Sequence, residues 1–135
     1  MNKSFLVLFS LLAFFFCSSS ASAQGSQLAT DQVAGLLKRG DGSRLAIMLN
    51  SRVDLDLPGS IGIYSRKQAE EILKAFFKRY PPDDFILKHS GQSGEKATYS
   101  IGHYQSGAHQ FRVYYLLKPD GDAFLIHQLR FEQQS

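Results

Sequence analysis

Apolar residues along the chain recur first at helical spacing, then at alternate positions, then at helical spacing again, and at alternate positions from there to the end. From Ser26 to Arg39, the residues Ala29, Val33, Leu36 and Leu37 fall on one helical stripe. Lys38 and Arg39 suit the negative end of the helix dipole, and Gly40 can close the helix. Asp41 or Ser43 then caps a short second helix carrying Leu45, Met48 and Leu49. In "RVDLDLPGSIGIY" the period changes to two, Val53, Leu55 and Leu57 alternating with Asp54 and Asp56. Pro58-Gly59 supplies the fixed φ and the positive φ of a tight turn, so this stretch predicts a hairpin of two short strands.

The segment "YSRKQAEEILKAFFKRYPP" carries a complete set of helix signals. Ser65 is the N-cap, Gln68 completes a capping box, and Tyr64 can staple onto Ala69. Ala69, Ile72, Leu73, Phe76, Phe77 and Tyr80 form an apolar face opposite Arg66, Lys67, Glu70, Glu71, Lys74 and Lys78. Pro81-Pro82 stops the helix. Such a helix is expected to lie on a sheet.

Four strands follow, Asp84 to Gln92, Lys96 to Gln105, Gln110 to Lys118 and Asp122 to Gln133, with connections short enough for antiparallel hairpins. Three-residue loops centred on Gly107 and at Pro119-Asp120-Gly121 would set Ile101 opposite Val113 and Val113 opposite His127. Tyr99, Ile101, His103, Val113, Tyr115, His127, Leu129 and Phe131 would then face the helix. Tyr114, Leu116, Phe124 and Ile126 would form an apolar patch on the opposite face, bordered by Arg112, Gln128 and Arg130, as an interaction surface is.

The start of the chain belongs to a different class. "MNKSFLVLFSLLAFFFCSSSASAQ" has a positive start at Lys3, an apolar run from Phe5 to Phe16 and a small-residue pattern at Ala21-Ser22-Ala23. This is the pattern of a secretory signal peptide over residues 1–23, cleaved after Ala23, and it predicts an exported protein, periplasmic or secreted. The apolar run is shorter than a membrane span requires, so no stable membrane insertion is expected after cleavage. Cys17 leaves with the leader, and residues 24–135 form a single domain without cysteine, hence without a disulfide. The 15 Lys and Arg are dispersed among 12 Asp and Glu, a balance that argues against nucleic-acid binding.

Taken in order, two N-terminal helices, a short hairpin, a long helix and a four-stranded antiparallel sheet resemble the nuclear transport factor 2-like superfamily. "VDLDLPGSIGIYSRKQAEEILKAFF" and "FRVYYLLKPDGDAFLIHQLRFE" resemble a small exported bacterial family of uncharacterised function within it. The resemblance implies an α+β cone, its curved sheet wrapped around the long helix with a pocket at the open end, and a homodimer formed through the outer sheet face. It transfers fold rather than activity, since no catalytic motif of the isomerase and dehydratase relatives can be placed here.

Candidate chemistry is sparse. Tyr64, Tyr99, His103, Tyr115 and His127 are the candidate ligand pocket, because the register above turns the last four toward the helix and imidazole with phenol can do acid-base work. Two histidines without a third ligand do not make a metal site, and no cofactor motif is present. Asp54 and Asp56 read as the wet face of an edge strand, and His89 and His109 as solvated residues near strand ends. The expected role is non-catalytic binding of a small molecule or a partner protein. The alternatives are an acid-base enzyme in the same pocket and a dimerising adaptor whose pocket is filled by side chains such as Phe76 and Phe77.

Overall fold

The computed structural model describes residues 20–94 and 96–135; the expected leader lies outside them except for its last four residues. The chain runs α1 (Ser20–Arg39), α2 (Gly42–Ile47), β1 (Leu49–Leu57), β2 (Ser60–Ser65), α3 (Arg66–Arg79), β3 (Asp84–Ser93), β4 (Ala97–Ser106), β5 (His109–Asp120) and β6 (Ala123–Gln134). No helix among the described residues is long and apolar enough to cross a membrane.

Local signals act where they are written. Asp41 caps α2, its carboxylate accepting from the Arg44 amide at 3.0 Å. Ser65 caps α3 with both halves of the box in place: its hydroxyl accepts from the Gln68 amide at 3.2 Å, and the Gln68 side chain accepts from the Ser65 amide at 3.1 Å. α1, with 20 residues, is longer than α3, with 14, so α3 is not the principal helix the sequence suggested. Ala29, Val33, Leu36 and Leu37 of α1 and Ala69, Leu73, Phe76 and Phe77 of α3 are buried together over one face of the sheet.

That sheet has six strands, not four, in the order β2-β1-β6-β5-β4-β3. The hairpin joins it because β1 pairs in parallel with β6, Leu55 beside Leu129 and Asp56 beside Arg130. β1 is therefore an interior strand, and its acidic residues are engaged by the neighbour: Asp54 accepts from Gln128 at 3.2 Å and Asp56 pairs with Arg130 at 3.4 Å. The reading of Asp54 and Asp56 as an edge-strand face is corrected accordingly.

The register differs from the expected one at both later hairpins. Ser106 pairs with His109, so the loop is Gly107-Ala108, two residues rather than three, with Gly107 at φ +55°. A one-residue slip turns every side chain of β4 over. Gly102 now lies opposite Val113, and Ser100, Gly102 and Tyr104 face the helices while Ile101 and His103 face away. Asp120 pairs with Ala123, and a bulge follows, with Leu117 opposite Ile126 but Leu116 opposite Gln128. His127 is the extra residue there, and an extra residue inverts the alternation on either side of it. Phe124 and Ile126 upstream and Leu129 and Phe131 downstream consequently all pack into the one core.

Candidate functional site

Aromatic side chains fill much of the helix-facing side where the pocket was expected. Phe76 projects from α3 into a cluster in which its ring centroid lies 4.5 Å from Phe131, 5.4 Å from Phe111 and 5.8 Å from Tyr104. The Tyr104 hydroxyl donates to the Tyr80 carbonyl, tying β4 to the C-terminal end of α3. Under α1, the fully buried Tyr115 donates to the Thr30 carbonyl at 2.9 Å. Burial pushes both phenols above their ordinary range, which suits them as neutral donors and not as acids.

The five pocket candidates are not brought together. Tyr64 packs half-buried against the core from β2, and Tyr115 is enclosed beneath α1. Tyr99 and His103 sit on the outer face because β4 is turned over, and His103 is exposed. His127 occupies the bulge, half-buried, its pKa lowered by burial and then by the neighbouring Lys118. The dimer candidates also divide: Tyr114 and Leu116 are half-buried on the outer face, whereas Ile126 is fully buried and Phe124 packs against the core.

What the corrected register does assemble is a ladder across the outer face. His89 Nε2 and the Tyr99 hydroxyl are 2.8 Å apart; Tyr99 stacks on Tyr114 at 6.3 Å between centroids and 16° between planes. The Arg130 guanidinium lies 6.0 Å from the Tyr114 centroid and pairs in turn with Asp56. Five strands, β3, β4, β5, β6 and β1, each contribute one member. Ile101 and Leu116 lie half-buried beside it, and Ile61 and Ile63 of β2 extend it as exposed apolar residues. Gly91 makes the ladder possible, since a Cβ there would meet the Tyr99 hydroxyl at 2.8 Å. The sequence reading placed His89 in solvent, and it is exposed, but its contact with Tyr99 and the row beyond were missed; cross-strand partners are legible only once register is known.

Chemically the ladder presents an imidazole, two phenol rings and a guanidinium side by side on the sheet surface. Its one His–Tyr pair lies on an open face, not in a closed cavity of the kind proton transfer calls for. Two clefts flank the hairpin tip, one of about 460 Å³ lined by Asp56, Pro58, Ile61, Arg130 and Glu132, the other of about 340 Å³ lined by Ser60, Glu71, Ile72, Arg79 and Tyr80. Among the described residues no three His, Cys, Asp or Glu side chains come together as a metal site would need.

Residues 30–132 match the model of a family described as a domain of unknown function, DUF4783. The chain belongs to this family. A crystal structure of a DUF4783 family protein from Bacteroides uniformis ATCC 8492 superposes with a TM-score of 0.72 at 26% identity, covering 78% of this chain and 96% of that one. A second, from Bacteroides ovatus ATCC 8483, gives 0.70 at 26% identity, covering 76% and 93%. An NTF-2 like protein of unknown function from Silicibacter pomeroyi DSS-3 gives 0.60 at 9% identity over 87% of this chain and 99% of its own, a likeness of fold alone. DUF4783 thus takes its place among nuclear transport factor 2-like folds, as the order of elements implied. No curated protein sequence matches the chain.

Proposed function

We propose that this DUF4783 protein is an exported, non-catalytic interaction domain that engages a partner protein across the outer face of its sheet. The observation that carries the reading is the ladder from His89 through Tyr99 and Tyr114 to Arg130, half-exposed aromatics ending in a charged rim, set on a domain whose interior is packed with its own aromatics. Aromatic and arginine side chains are the residues most enriched where proteins bind proteins. The filled interior favours the adaptor reading over a small-molecule carrier. Tyr114 and Leu116 are the centre of the surface; residues 1–23 direct the chain out of the cytoplasm and are removed after Ala23.

The test is site-specific photo-cross-linking in the exporting cell. A photoreactive residue at Leu116 is expected to give a discrete protein adduct that is absent from the same residue placed at the exposed Gln32 of α1. Identical adducts from both positions would remove the outer face as the site. A small molecule retained in native mass spectrometry and lost in Tyr115→Phe would return the function to the interior.

A further inference from the structure

The two edges of the sheet are built differently. β3, at one edge, carries Asp84 and Lys88, bulges between Leu87 and His89, and is tied to α1 by an ion pair of 3.5 Å from Lys38 to Asp84. These are the features by which proteins keep an edge from pairing. β2, at the other, reads Ser60-Ile61-Gly62-Ile63-Tyr64-Ser65, with no charge, no proline and no bulge in its pairing with β1. Ile61 and Ile63 are 74% and 62% exposed, among the most exposed large apolar residues of the described chain.

The hairpin geometry says which backbone groups this edge offers. Leu57 and Ser60 close the two-residue turn Pro58-Gly59, and hydrogen-bonded pairs alternate with non-bonded ones from there. Ser60, Gly62 and Tyr64 therefore bond β1, and the N–H and C=O of Ile61 and Ile63 point away from it. Among the described residues no hydrogen bond reaches those groups.

We infer that β2 pairs with β2 of a second copy of this chain, antiparallel about a two-fold axis at Gly62. The segment is close to a palindrome around that glycine, so the axis sets Ile61 of each copy opposite Ile63 of the other, the isologous arrangement that closes after one partner. Each such pair is of the bonded kind and exchanges two backbone hydrogen bonds, using the free groups and no others. Four isoleucine side chains then cluster on the outer face. Gly62 at the axis leaves the backbones free to approach. The strand carries no charged residue, so no like charges from it meet across the contact. The two sheets become one, and their outer ladders lie on a continuous surface, which extends the face proposed above without depending on it.

The experiment is sedimentation velocity on the purified mature protein over a dilution series up to millimolar, with amide exchange by NMR over the same series. Protection is expected to rise with concentration at the Ile61 and Ile63 amides and to stay constant at Gly62. The double variant Ile61→Lys, Ile63→Lys sets like charges opposite each other and is expected to weaken association about tenfold or more, with an unchanged circular dichroism spectrum. Tyr114→Ala is expected to leave association intact. A wild-type chain monomeric at millimolar concentration, protection absent from Ile61 and Ile63, or a dimer that survives the double substitution would each overturn the inference.

Discussion

Gly102→Ala separates the observed register of β4 from the one its alternation suggests. In the structure Gly102 faces the core, and a Cβ there would overlap the Phe85 ring and lie 2.7 Å from the Ile86 carbonyl oxygen. The ring can turn, but the carbonyl belongs to the β3–β4 ladder and can move only with the strand. Overpacking of this kind costs about 1–3 kcal/mol, from which about 0.4–1 kcal/mol is recovered because alanine restricts the unfolded chain. With three atoms inside 3.0 Å the cost lies in the upper half of its range, and the net loss of about 1–2.5 kcal/mol lowers the melting temperature of a domain this size by roughly 5–15 °C. Urea titration followed by circular dichroism and tyrosine emission measures it, the chain having no tryptophan. With Gly102 on the outer face, as a three-residue loop at Gly107 would place it, the same change would be neutral or stabilising. An unchanged or raised midpoint would refute the register and with it the whole outer-face ladder. Gly91→Ala is the internal control: the nearest atoms its Cβ would meet belong to the Tyr99 phenol, at 2.8 Å to the hydroxyl, and that ring can swing toward solvent. It is expected to cost under about 1 kcal/mol while breaking the His89 contact.

Ser65→Ala removes one half of the capping box on α3 and should cost about 1 kcal/mol in the same titration, Ser65→Asp restoring most of it. Tyr115→Phe deletes the hydroxyl that donates to the Thr30 carbonyl and should cost about 0.5–1.5 kcal/mol, since water cannot easily replace the donor beneath α1. The folded-state pKa of His127 lies below 6.5, so the unfolded chain binds the extra proton first as pH falls. Its contribution to stability is complete above about pH 6.5 and is lost as pH drops through the folded-state value. Denaturant midpoints measured from neutral pH down to mildly acidic pH should therefore fall less steeply in His127→Gln than in the parent.

What the sequence made legible was local. The capping box at Ser65, the turn at Pro58-Gly59 and the stop at Pro81-Pro82 depend on residues within a few positions of each other, and each stands where it was read. β4 was ambiguous because both of its faces hold aromatic or aliphatic residues: Tyr99 and Ile101 look as fit for a core as Ser100 and Gly102 do not. The small residues face inward because Phe85 from β3 covers Gly102 and the Tyr115 phenol, with α1 above it, lies close to Ser100, partners remote in sequence. The bulge at His127 was hidden for a related reason. "AFLIHQLRF" is apolar at both parities upstream and at one parity downstream, and only pairing with β5 shows where the phase changes. Phe124 and Ile126 went to the wrong face on that account, and the five pocket candidates came apart with the register that grouped them.

The place of β6 in the sheet has a consequence for the order of events in folding. The last strand of the chain lies between β1, about the first strand to be made, and β5, which directly precedes it. Until residues near Gln128 to Arg130 are available, β1 has only its hairpin partner, and a lone hairpin is marginal in water. A chain emerging N-terminus first can form its helices and nearby hairpins, but it cannot close its core before the residues of β6 arrive. Such long-range pairing slows folding and makes it nearly all-or-none. The same layout makes the stretch from Gln128 to Arg130 serve two neighbours, so removing it would take from β1 its parallel partner and from β5 its antiparallel one in a single cut.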